Sequence, residues 1–204
     1  MQGTAPRKLP RQARSLAMVE AILDATARIL TRDGREATNT NAIAQEAGVS
    51  IGSLYQYFSN RDAIIDALVH RHGHRIHALV TEAMQPPADT LDDAITRIVH
   101  AVFAAHRLEP ALHDALDHDF IQRGEGHGHH HPTTKQAVAE QMQRLPAHVR
   151  AEMKCVDAAH APLVVAEIMH SLAHAALVHP PEPRDAAALE RQAVSAVLAY
   201  LRAE

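Results

Sequence analysis

Within eight positions of this chain lie Ser50, Ser53, Tyr55, Gln56 and Tyr57. Serine hydroxyls and glutamine amides can hydrogen-bond to the edges of bases, and tyrosine hydroxyls to phosphate oxygens. Gly52, in their midst, has no side chain and permits a second surface to come close. This is the chemistry of holding a duplex rather than of breaking bonds. A catalytic site would need a nucleophile with its base, or a metal with an open position. The chain contains no His-Glu-x-x-His, and its single cysteine, Cys155, forms no Cys-His signature.

Such groups need a rigid element to present them. Ile43, Ala44 and Ala47 recur at helical spacing and give a small apolar face. Thr38, Thr40 and Asn41 precede them, and their side-chain oxygens can cap a helix start. Gly48 ends this first helix, because only glycine reaches a left-handed backbone without steric cost. Val49 can plug the angle between two helices, and Ser50 caps the second. Leu54 and Phe58, four apart, face inward, which leaves Ser50, Ile51, Ser53, Tyr55, Gln56 and Tyr57 outward or along the edges. The layout is that of a helix-turn-helix. The alternative is a helical hairpin inside an ordinary bundle. Two neighbouring outward tyrosines weigh against it in a chain with only three Tyr and no Trp.

The 204 residues suffice for one large or two small domains, and a 47% apolar fraction supports a buried core. Aromatic residues make up 3%, helix formers dominate and alternating β-branched runs are scarce, so the expected fold class is all-α. One cysteine excludes an internal disulfide, and no apolar run is long enough to cross a bilayer. With no signal peptide in view, the expected location is the cytoplasm, with no membrane partner. The formal net charge of −4 is unevenly spread. Residues 1–75 carry 10 Lys and Arg against 7 Asp and Glu, and residues 76–204 carry 10 against 17. Arg7, Lys8, Arg11 and Arg14 precede the first acid, Glu20, and could follow a phosphate backbone.

Helices are expected over 15–32, 41–47, 51–58 and from 59–60 to about 83. Pro86-Pro87 then breaks the pattern. Further helices are expected over 89–107, from 109–110 onward, and over 133–144, 146–157, 162–179 and 184–202. The Gly- and His-rich stretch 124–132 reads as a loop. The helix after Pro162 is apolar over so wide a surface that it must be covered on more than one side. These segments divide into a flexible basic arm (1–14), a helix-turn-helix domain (15–80) and a larger helical domain (81–204).

On Thr40, Ile43-Ala44, Ala47-Gly48-Val49-Ser50, Gly52, Leu54-Tyr55, Tyr57-Phe58 and Asn60-Arg61-Asp62-Ala63-Ile64, the chain resembles the TetR family of bacterial transcriptional regulators. The match runs from about residue 18 to 70. It implies a three-helix DNA-binding domain followed by a helical domain that binds a small molecule and forms a homodimer through its last two helices. It also implies a repressor of a palindromic double-stranded DNA operator, released when an effector binds. Thr40 and Asn41 resemble positions that touch phosphate, and Ser50, Ile51, Gly52 and Ser53 resemble positions that enter the major groove. Tyr55 and Tyr57 match aromatic positions that meet backbone or base methyls, with Gln56 among them. Arg61 stands where the family usually has a phosphate-binding lysine. A two-fold dimer would read half-sites about one helical turn apart, roughly 34–36 Å. Ala166, Ala173, Ala176, Ala193 and Ala196 would let its helices approach closely.

The expected effector is small and hydrophobic, in a cavity lined near Val102, Phe103, His106, Leu112, Leu116, Phe120, Met142, Val165, Met169 and His170. His113 and His118 could line it too. The 17 histidines raise a second reading, a histidine-based metal-responsive regulator or a metal-binding protein. His70 and His74, and again His170 and His174, stand four apart, and His127, His129, His130 and His131 crowd the loop. A sensor needs convergent ligands, often with Cys or carboxylate. The sequence therefore assigns no metal and no cofactor site, and treats His170 and His174 as core or pocket histidines.

Overall fold

In the computed structural model the described residues are 13–122, 132–155, 157, 159–177 and 185–203. They form helices joined by short connections, with no strand among them, so the chain is all-α. The expected basic arm before residue 13, the 124–131 loop and the prolines at 180–183 lie outside the described residues. Two compact units emerge, residues 1–72 with 114–130, and residues 73–113 with 131–204.

The first unit contains α1 (Ala13–Ala37), α2 (Thr40–Glu46), α3 (Ile51–Tyr57) and the start of α4 (Arg61–Ala83). Its apolar stripes meet in a core of Ile22, Leu23, Ile29, Leu30, Ile43, Leu54, Phe58, Ile64, Ile65 and Leu68. Gly34 breaks the helical path of α1 at φ 77° and ψ −177°, where Asp33-Gly34 predicts a stop. Ion pairs lock the unit together. Arg28 donates to Glu46 at 2.8 Å, joining α1 to α2. Arg71 of α4 reaches Glu20 at 2.8 Å and Asp24 at 2.7 Å on α1. Partial burial works against the Arg71 guanidinium, but those two carboxylates outweigh it and raise its pKa.

The second unit holds the end of α4, then α5 (Leu91–Leu108), the first residues of α6 (Pro110–Gln122), α7 (Pro132–Arg144), the short α8 (Ala147–Arg150), α9 (Ala161–Leu177) and α10 (Ala186–Arg202). Thr90 and Asp185 cap α5 and α10, accepting from Asp93 and Ala188. As the breadth of its apolar surface demands, α9 is covered by α5, α7 and α10. Arg202 of α10 ties to Asp92 of α5, and Glu190 of α10 receives Arg107 and His100 of α5.

One sequence expectation needs correction. The helix expected over 146–157 ends at Arg150. The amides of Lys154 and Cys155 instead donate to the carbonyl of Leu201, at 2.8 and 3.1 Å. A tertiary hydrogen-bond pair has displaced the local helical pattern there. Of the five alanines expected to ease close approach between subunits, Ala166, Ala173, Ala176 and Ala193 are buried within the subunit, and Ala196 is exposed.

Candidate nucleic-acid interface

The turn between α2 and α3 is built by local hydrogen bonds. Gly48 adopts φ +67°, its amide bonds to the Gln45 carbonyl at 3.1 Å, and the Val49 amide bonds to the Ala44 carbonyl at 3.0 Å. Those two bonds, closed by a left-handed glycine, form a Schellman termination that satisfies the last carbonyls of α2. Ser50 then caps α3, its hydroxyl accepting from the Ser53 amide at 3.0 Å and lying 2.8 Å from the Ser53 hydroxyl. Leu54 and Phe58 are sealed in the core. They anchor the inner side of α3 and turn its other side outward.

Ile51, Gly52, Tyr55 and Gln56 are exposed on that outer side, and Ser50 is exposed at its start. Ser53 is half-buried. Tyr55 is 44% exposed, and its hydroxyl lies 3.2 Å from Thr40 Oγ1, which bridges α3 to the start of α2. Tyr57 is only half-buried, and its hydroxyl donates to Ser15 of α1 at 3.3 Å. It therefore lies along the edge of the reader rather than fully outward. Asn41 is exposed and Thr40 half-buried. Arg61, half-buried at the start of α4, lies 3.3 Å from the neighbouring Asp62, which Arg35 also contacts at 3.1 Å. Asn60 accepts from the Ala63 amide at 2.8 Å and starts that helix.

The cap of α2 is Asn39, whose side chain accepts from the Ala42 amide at 3.0 Å. Thr38, Thr40 and Asn41 do not serve that role. The broken turn at Gly34 leaves a free carbonyl that the Thr38 hydroxyl binds at 2.8 Å, and Thr40 is already inside α2. Four consecutive polar side chains stand there, and Asn39, the one that caps, is not among those expected to. The Ser15 contact to Tyr57 spans 42 residues and carries no sequence signal.

Residues 22–68 match the family described as bacterial regulatory proteins, tetR family, and residues 90–201 match the tetracyclin repressor-like, C-terminal domain. The chain belongs to the TetR family. Among relatives of this TetR-family chain is the HTH-type transcriptional repressor KstR of Rhodococcus jostii. It is 28% identical over 100 residues, which cover 49% of this chain and 46% of KstR. An uncharacterized HTH-type transcriptional regulator of Mycobacterium tuberculosis is 35% identical over 97 residues, 46% of each. The chain thus spans about half the length of the curated relatives it matches. The fold is shared with the fatty acid degradation regulator FadR from Bacillus halodurans. There the TM-score is 0.72 at 15% identity, over 95% of this chain and 99% of FadR. It is shared also with SmeT in its triclosan complex, with a TM-score of 0.63 at 19% identity over 90% of each chain.

The expected effector-lining residues are distributed as follows. Val102, Phe103, Met142, Val165 and Met169 join one buried apolar cluster in the second unit. The buried His106 and half-buried His170 bring their rings to 5.5 Å, and Leu112 is buried. Leu116, also buried, falls in the first unit, and the side chain of Phe120 lies outside the described residues. An open groove of about 440 Å³ in the second unit is lined by none of these, but by Leu79, Glu82, Ala83, Arg97, His100, Ala101 and Ala104.

Proposed function

We propose that this chain is a homodimeric, ligand-responsive repressor that binds a palindromic double-stranded DNA operator and leaves it when a small hydrophobic effector binds. Residues 15–80 read DNA, and residues 81–204 bind the effector and the second subunit. Ser50, Ile51, Gly52 and Ser53 enter the major groove, with Gln56 beside them. Tyr55, Tyr57, Thr40, Asn41 and Arg61 hold the sugar–phosphate backbone. The observation that carries this reading is the outer side of α3, with Ile51, Gly52, Tyr55 and Gln56 exposed above a buried Leu54. An exposed isoleucine and tyrosine on a seven-residue helix pinned at both ends invite a partner. The repressor name of KstR and the triclosan complex of SmeT support the repressing and effector-binding parts.

Dimerisation through α9 and α10 draws support from their incompletely buried apolar side chains. Leu163 is 53% exposed, and Val164, Ile168 and Leu172 follow at four-residue spacing from Val164, each only half-buried. On α10, Leu189, Val194 and Leu198 are half-buried too. The test is a gel shift on DNA flanking the chain's own gene, with the oligomeric state measured alongside. A salt-sensitive, sequence-selective complex of a dimer is expected. The absence of any selective complex on that DNA or in an unbiased oligonucleotide selection overturns the reading.

A further inference from the structure

Three histidines from three helices meet inside the second unit: His106 on α5, His113 at the start of the following α6, and the sequence-distant His170 on α9. His106 and His113 are wholly buried and His170 is half-buried. The ring centroids of His106 and His113 are 4.2 Å apart, and that of His170 is 5.5 Å from the first and 5.8 Å from the second. One ring nitrogen from each of the three lies within 4.8 Å of the others. His174, one turn along α9, stands 5.8 Å from His113 and 6.1 Å from His170 by centroid.

Convergent neutral imidazoles are the donor set that borderline dications such as zinc, cobalt and nickel prefer over oxygen ligands. His106 carries a further mark. Its Nδ1 lies 2.8 Å from the Val102 carbonyl oxygen. A carbonyl can only accept, so Nδ1 donates to it, and the lone pair of the corresponding neutral tautomer is on Nε2. Anchoring one ring nitrogen to a backbone carbonyl is how metal-binding histidines have their other nitrogen aimed. Around a tetrahedral ion with bonds of about 2.0–2.1 Å, donor nitrogens sit about 3.4 Å apart. To hold an ion, the rings would have to turn so that their nitrogens, now within 4.8 Å of one another, draw in to that spacing.

We propose that His106, His113 and His170 form a three-imidazole site for a divalent transition-metal ion of the zinc type. A fourth position is left for water, His174 or an acidic group of an effector. The proposal does not depend on the regulator reading, and it departs from the sequence analysis, which assigned no metal. Spacing along the chain could not reveal it, because the three ligands come from three helices.

The test uses the full chain without an affinity tag and with His127, His129, His130 and His131 changed to Asn, so that these cannot compete. Zinc is titrated by calorimetry, and cobalt(II) by its visible absorption. One zinc per chain and the intense bands of tetrahedral cobalt are expected. His113→Gln and, separately, His170→Gln in that background should weaken zinc binding at least about tenfold and bleach the cobalt bands. The exposed His70→Gln should change neither. Helical circular dichroism checks each fold, and if the buried His113→Gln fails to fold, the half-buried His170→Gln decides. No stoichiometric binding, or binding that survives His170→Gln, overturns the proposal.

Discussion

Gly52→Ala separates the folding role of α3 from its reading role. Gly52 is the second residue of α3, and a Cβ built there meets only Ser50 Oγ, at 3.9 Å. That is ordinary contact, so the subunit has room for the methyl. Replacing glycine by alanine within a helix gains up to about 1 kcal/mol from the lower entropy of the unfolded chain, and less in a first turn. For a chain of this size that corresponds to a rise in Tm of about 1–4 °C. The same methyl projects from the surface proposed to enter the groove. If a base edge or sugar comes within van der Waals distance of the Gly52 Cα, the duplex must withdraw and neighbouring hydrogen bonds lengthen. Losing one good base contact costs about 1–3 kcal/mol, or about 5- to 150-fold in affinity. Differential scanning calorimetry and fluorescence anisotropy on a labelled operator measure the two effects on one preparation. A more stable protein that binds DNA less well is expected. Unchanged affinity in a stabilised variant would refute the claim that the first turn of α3 enters the groove, and a destabilised variant would refute the claim of open space.

Arg61→Ala should weaken binding on all sequences alike and lower the slope of log affinity against log salt by about 1, read from anisotropy titrations at several salt concentrations. Gln56→Ala should instead change base preference, by about 1–3 kcal/mol at one operator position, as measured by selection from a randomised oligonucleotide pool. Leu54→Ala empties a fully buried site and should cost about 2–5 kcal/mol in urea unfolding. Asp92→Asn should act through pH. The hydrogen bond from Arg202 holds the Asp92 carboxyl below its ordinary pKa, against a weaker opposing effect of desolvation. A lowered folded pKa adds stability above the unfolded value of about 3.9, and that stability is lost as pH falls through the folded pKa. The pair is largely exposed, so the variant should lose less than about 1 kcal/mol at neutral pH and nothing near pH 2, compared by urea midpoints.

What the sequence made legible was governed within about four residues. The left-handed Gly48, the Ser50 cap and the inward Leu54 and Phe58 follow from side-chain chemistry and helical period alone, and each stands where expected. The same local rules named Thr38, Thr40 and Asn41 as caps of α2 and passed over Asn39, which is the cap. That choice hinged on the Gly34 break, which turned Thr38 toward a carbonyl of α1. The truncated α8 and the meeting of His106, His113 and His170 were out of reach for a different reason. Leu201 lies 47 residues from Lys154, and the three histidines sit on three helices, so only the packed chain brings them together.

The hydroxyls proposed to meet phosphate are already engaged with one another in the free protein. Thr40 and Tyr55 lie 3.2 Å apart, so one of their two protons serves the other oxygen and one remains for a phosphate. Binding therefore need not break the pair. The tyrosine ring, which keeps only two free torsions, is held before DNA arrives, and ordering it then costs less. Arg61 is held differently. Its nearest carboxylate, Asp62, is already contacted by Arg35, so the acid's charge is divided between two guanidiniums. A phosphate approaching Arg61, as proposed, would then meet a cation that Asp62 only partly neutralises, although Arg35 is itself shared between Asp62 and Asp119.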